Sequence, residues 1–154
     1  MSFDAPFMLG PFAVDAMGRL AARGSNALPG FLFRWRGRLI RAKFEQSNWQ
    51  LGQLILQATL GRIPSTANPR DPGSRQQSFQ LLQMLPRSLP SPWRMMLLPD
   101  HCVRLEANTQ GSLPITVTDL LAELTRFLLE LAPYLDLLDE AGIASVNESA
   151  KAST

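Results

Sequence analysis

The sequence predicts an α+β fold: an antiparallel β-meander and a hairpin in a sheet, packed against a short middle helix and a long C-terminal helix. Three observations carry this. Aromatic and β-branched residues flank Arg36-Gly37, apolar residues alternate from Gln53 to Leu60, and a 3.6-residue apolar repeat runs from Val117 to Leu135.

A chain of 154 residues with a 45% hydrophobic fraction is the size of a single domain with one real core. That domain is expected over residues 1–142, followed by a disordered tail at 143–154. The 18% charged fraction is lean for a small surface, and self-association is a cheap way to cover the apolar area left over.

The elements follow in order. Phe12, Val14 and Ala16 around Asp15 read weakly as a strand over 12–22, with Gly18 as a turn or bulge. The segments 31–35 and 38–44 form a hairpin, Gly37 supplying the positive φ of its turn. A third strand over 53–60 alternates Leu54, Leu56, Ala58 and Leu60 with Ile55, Gln57 and Thr59, and Gly61 and Pro64 end it.

The polar stretch 65–75 is a loop. It leads into a short helix with Ser74 as its N-cap, with Phe79, Leu82 and either Met84 or Leu85 on one side, and with Pro86 as its stop. A second hairpin pairs 93–98 with 102–107 across Pro99-Asp100-His101, and 108–114 is a loop. The last helix carries Val117, Leu120, Leu121, Leu124, Phe127, Leu128, Leu131 and Leu135 on one face and Asp119, Glu123, Arg126 and Glu130 on the other. Thr116 or Thr118 caps it, and Pro133 is expected to kink its end.

A lone cysteine, Cys102, forms no internal disulfide, and the start MSFDAPFMLG lacks the charged start and apolar run of a secretory signal, so a cytoplasmic location is expected. The apolar stretch 120–138 is interrupted by Glu123, Arg126, Glu130, Pro133 and Asp136 and reads as an amphipathic helix, not a membrane span.

Candidate chemistry is sparse. His101 between Asp100 and Cys102 invites a Cys-His catalytic reading, but neighbours on a hairpin point to alternate sides, and a structural turn is the plainer reading. One cysteine and one histidine do not make the usual zinc set, and phosphate-loop and nucleophile-elbow motifs are lacking, so neither metal nor cofactor nor catalytic set is expected. Asp136, Asp139 and Glu140 read as a solvated face.

Charge is unevenly placed: Arg19, Arg23, Arg34, Arg36, Arg38, Arg41 and Lys43 dominate the first 50 residues, and acids dominate 116–142. Arg34-Trp35-Arg36-Gly37-Arg38 with Arg41 combines cations with an aromatic, as nucleic-acid sites do. Alternatively these arginines lie over the edge of the sheet or pair with acids of the last helix.

The order of meander, helix, hairpin and long helix, with the strand end Leu54-Ile55-Leu56-Gln57-Ala58-Thr59-Leu60-Gly61-Arg62-Ile63-Pro64 and the helix after Leu105-Glu106, resembles the bacterial type III secretion chaperone superfamily, including its YbjN-like branch, over about residues 30–140. The resemblance implies a homodimer without enzymatic activity that binds an extended client segment on apolar patches. Those chaperones are usually acidic and begin with an amphipathic helix. This chain has a pI near 9.2 and no helical pattern in its first 30 residues, so the resemblance bears on fold more than on secretion.

The leading expectation is therefore a homodimeric, chaperone-like protein-binding module. The alternative is a nucleic-acid-binding or regulatory domain using the basic hairpin 34–43, and a third reading is an enzyme built around Asp100, His101 and Cys102. The expected contact residues are Arg34, Trp35, Arg36, Arg38, Arg41, Leu54, Leu56, Trp93 and Met95, although a slip of one residue in register would exchange the faces of a strand.

Overall fold

In the computed structural model, residues 2–10, 12–22, 30–48, 51–63, 72–108 and 116–143 are described. They form two antiparallel sheets and two helices, the α+β class expected from the sequence. The first sheet has the order β1-β2-β3, from β1 (Phe7–Leu9), β2 (Phe12–Val14) and β3 (Leu20–Ala22). The second contains β4 (Gly30–Trp35), β5 (Arg38–Asn48), β6 (Leu51–Arg62), β7 (Arg94–Leu97) and β8 (Cys102–Asn108) in the order β4-β5-β6-β8-β7. Helices α1 (Pro72–Ser88) and α2 (Val117–Glu140) complete the chain.

The contacts divide the chain into two compact units: residues 1–32, 41–56 and 108–130, and residues 33–40, 57–107 and 131–154. In the first unit, the single strand expected over 12–22 is two strands. The Asp15 carboxylate accepts hydrogen bonds from the Met17 and Arg19 amides at 2.9 and 2.8 Å, and Gly18 takes φ +78, so the chain reverses and Phe12–Val14 pairs with Leu20–Ala22. Phe12 packs edge-to-face on Phe31 and Phe44, with ring centroids 6.1 and 5.3 Å apart. Thr116 caps α2, its hydroxyl accepting from the Asp119 amide at 3.1 Å.

In the second unit, Arg36 and Gly37 both adopt positive φ, +49 and +75, the two-residue reversal that matches strand twist. A non-glycine residue there costs about 1 kcal/mol, so Arg36 needs compensation from its side chain. Helix α1 begins two residues before Ser74, at Pro72, a favoured first position because its missing N–H would be unpaired anyway.

Pro86 does not stop α1, which runs on to Ser88. Leu85 is buried, the Ser88 hydroxyl donates to the Leu85 carbonyl at 2.9 Å, and the Tyr134 hydroxyl donates to the Ser88 carbonyl at 2.6 Å, so the last turn is fastened despite the missing amide. Leu85 rather than Met84 faces inward; Met84 is 69% exposed.

Helix α2 runs from Val117 to Glu140 with Pro133 inside it. Gly142, with φ +76, then closes it: the Gly142 amide donates to Asp139 and the Ile143 amide to Leu138, a Schellman end in which Leu138 and Ile143 are both fully buried. Ile143 therefore belongs to the core, not to the tail expected from 143. Residues 144–154 lie outside the described part, as do 64–71 and 109–115, which hold most of the two stretches expected to be loops; of those stretches, 72–75 belongs to helix α1 and Asn108 ends β8.

A methyl group built on Gly142 meets nothing within 4 Å, so only its backbone conformation resists substitution. Gly142→Ala should lower stability by about 1 kcal/mol, measured by denaturant unfolding, with an unchanged denaturant dependence.

Candidate functional site

The alternation of β5 decides what the basic hairpin is able to do. Arg38, Ile40, Ala42 and Phe44 are buried, whereas Leu39, Arg41, Lys43 and Glu45 are exposed. Arg38, only 4% exposed, is consumed inside the fold: Nε donates to the Leu60 carbonyl at 3.0 Å, Nη1 to the Arg36 carbonyl at 3.3 Å, and Nη2 pairs with the Asp139 carboxylate. Arg36 Nη2 lies 2.6 Å from Asp136 Oδ1 and 3.7 Å from Asp139 Oδ2, and Nη1 donates to the Ala132 carbonyl at 3.4 Å.

Asp136 and Asp139 are thus ion-pair partners rather than a merely solvated face, and Glu140 alone of that trio fits the simpler description. Carboxylates near a helix C-terminus oppose the helix dipole, and the two guanidiniums offset that cost. The pairing of arginines of the basic segment with acids of the last helix, one of the readings of that segment, is what Arg36 and Arg38 do.

Arg34 and Arg41 remain exposed and form no ion pair among the described residues. Trp35 is half-buried, and the Arg36 guanidinium lies 5.7 Å from its ring centroid. Leu54 and Leu56 have no exposed surface at all, which removes them as contact residues: β6 lies between β5 and β8 in the sheet, and these alternate positions face the core. Trp93 is half-buried at 6.3 Å from Tyr134, and Met95 lines a cavity of about 220 Å³ with Phe79, Leu82, Pro86 and Leu97.

Asp100, His101 and Cys102 form a turn. His101 has φ +65; its amide donates to the Leu98 carbonyl at 2.9 Å and its carbonyl accepts from the Ile63 amide at 3.0 Å. The Cys102 amide donates to the Asp100 carboxylate at 3.0 Å, while the thiol-bearing residue is only 5% exposed. That amide holds the Asp100 carboxyl below its ordinary range, with the Cys102 side chain and nearby Arg62 adding to the effect and desolvation opposing it. No group of three or more His, Cys, Asp or Glu able to hold a metal occurs among the described residues.

Two features escaped the linear reading. In the first unit, β1 exposes all three of its residues, Phe7, Met8 and Leu9, and among the described residues pairs only with β2. Beside it, Leu9, Phe12, Phe31, Leu32, Leu120, Leu121 and Leu124 enclose an apolar groove of about 260 Å³, with Leu32 and Leu121 more than half exposed. A three-residue run between Pro6 and Gly10 is too short for periodicity to reveal, and the placement of Pro6 and Gly10 as punctuation was its only sequence signal.

In the second unit, Arg34, Leu39, Thr59, Leu98, Asp100 and Arg104 line a hollow of about 300 Å³ together with Gly37, Arg38 and Cys102. Arg104 was visible only as a charge interleaved in a strand. No helix among the described residues is long and apolar enough to cross a membrane.

Asp139→Asn leaves the buried Arg38 guanidinium without its carboxylate and should cost about 2 kcal/mol, less than a fully buried pair because Asp139 is 46% exposed. Asp136→Asn, at a 61% exposed position, should stay within about 0.5 kcal/mol of wild type in the same denaturant titration. Because the Asp100 pKa is lowered from 3.8 on folding, the stability it lends is complete above that value and is lost as pH falls through the lower folded pKa; Asp100→Asn should flatten this part of the acid-unfolding curve. No protein-family model, curated protein or solved structure matches this chain.

Proposed function

We propose that the chain is a non-enzymatic, chaperone-like protein-binding module of the cytoplasm that works as a homodimer and receives an extended apolar segment of a partner protein. The observation that carries this reading is the apolar groove beside the exposed edge strand β1. An edge strand offers unpaired backbone groups, the groove offers a pocket for alternate apolar side chains, and together these are the parts of recognition by strand addition.

The order of the elements from β4 to α2, meander, helix, hairpin and long helix, is the order on which the resemblance to secretion chaperones rests. Self-association finds its surface in the second unit, where edge strand β7 presents Met96 and Leu97, 39% and 51% exposed, beside the cavity at Met95.

The test pairs peptide-array binding of extended apolar sequences with light scattering of the free protein. Leu32→Asp and Leu121→Asp alter exposed groove residues and should abolish peptide binding without changing the melting temperature, whereas Leu97→Lys should convert dimer to monomer. Peptides that bind the groove variants as well as wild type, or bind neither, would reject the groove. A wild-type monomer would reject the dimer, and monomerisation by Leu121→Asp would assign the groove to a second copy.

A further inference from the structure

We propose that the hollow lined by Arg34 and Arg104 in the second unit is a binding site for a small phosphate monoester. This goes beyond the protein-binding reading and does not rest on it. Arg34 and Arg104 line one concavity, and their side chains make no ion pair or hydrogen bond among the described residues. The carboxylate nearest in sequence to Arg104, Glu106, is already taken, accepting from Gln57 at 2.9 Å and pairing with Arg94 at 3.3 Å. Arg38, although part of the lining, is neutralised by Asp139.

Two arginines without a carboxylate partner among the described residues line one hollow, and a doubly charged anion gains more from such a pair than a singly charged one. The planar donor fork of arginine matches phosphate oxygens, and Thr59, a residue with a hydroxyl donor, belongs to the same lining. Leu39 and Leu98 form an apolar wall for the organic part of the ligand, and a volume of about 300 Å³ suits a small ester. Among the described residues Asp100 is the one carboxylate in the lining and works against an anion, although the Cys102 amide holds one of its oxygens.

That opposition supplies an internal control. Titrations of the full chain with phenyl phosphate, inorganic phosphate and acetate at constant ionic strength, followed by amide chemical shifts, should give saturable changes at Leu39, Thr59 and Arg104. Phenyl phosphate should bind several-fold more tightly than inorganic phosphate, and acetate far more weakly than either.

Arg34→Ala and Arg104→Ala should each weaken phenyl phosphate about tenfold or more. Asp100→Asn should tighten it, and Arg41→Ala, an exposed arginine outside the lining, should leave it unchanged. No saturable shifts, equal binding of acetate, or losses from Arg34→Ala and Arg104→Ala no larger than from Arg41→Ala would overturn the proposal. So would binding confined to an oligonucleotide that lacks terminal phosphate, which would point to a polyanion instead.

Discussion

The buried guanidinium of Arg38 is the interaction on which the second unit depends. A cation that is 4% exposed survives only if its donors are spoken for, and three separate acceptors meet it: the Leu60 carbonyl on β6, the Arg36 carbonyl in the turn, and the Asp139 carboxylate on α2. One side chain thereby fixes the start of β5, the end of β6 and the last turns of α2. Arg36 follows from it. Its strained left-handed backbone is held from both sides, by its own side chain on Asp136 and Ala132 and by its carbonyl on Arg38.

Strand alternation then sorts a cluster that looks uniform in sequence. Arg34, Arg36, Arg38 and Arg41 lie within eight residues, yet the period of two along β5 buries Arg38 and exposes Arg41, and the turn delivers Arg36 to α2. Composition counts these residues together, whereas geometry divides them into structural cations and free ones. The free charge of Arg34 instead finds company on β8, in Arg104, from which it is separated by 70 residues of chain.

Much of the fold was legible because its signals are local. The Arg36-Gly37 turn, the alternation in β6, the second hairpin and the apolar stripe of α2 each depend on residues close in sequence. The boundary placed at Pro86 failed for a non-local reason: nothing near Pro86 foretells that Tyr134 will fasten Ser88. Ile143 was misread in the same way, because a polar tail composition hides the one apolar residue that a Schellman end buries against Leu138. Choosing Leu54 and Leu56 as contacts failed because hydrophobicity in a strand marks the face that is covered as readily as one that binds, and β6 is flanked on both sides.

The exposed apolar residues call for a reason that they do not cause indiscriminate association. Two of the edges that carry them are short: β1 has three residues, hemmed by Pro6 and Gly10, and β7 has four, opening on the exposed Arg94, whereas edge strand β4, which carries Leu32, has six. Short edges bounded by proline or charge give an incoming chain too few backbone partners for open-ended sheet growth. What they leave is a few backbone groups beside a shaped apolar pocket, the two parts on which the proposed strand addition rests. The apolar groove beside β1 and the hollow of the second unit therefore differ in kind, since one is lined by apolar side chains and the other includes Arg34 and Arg104.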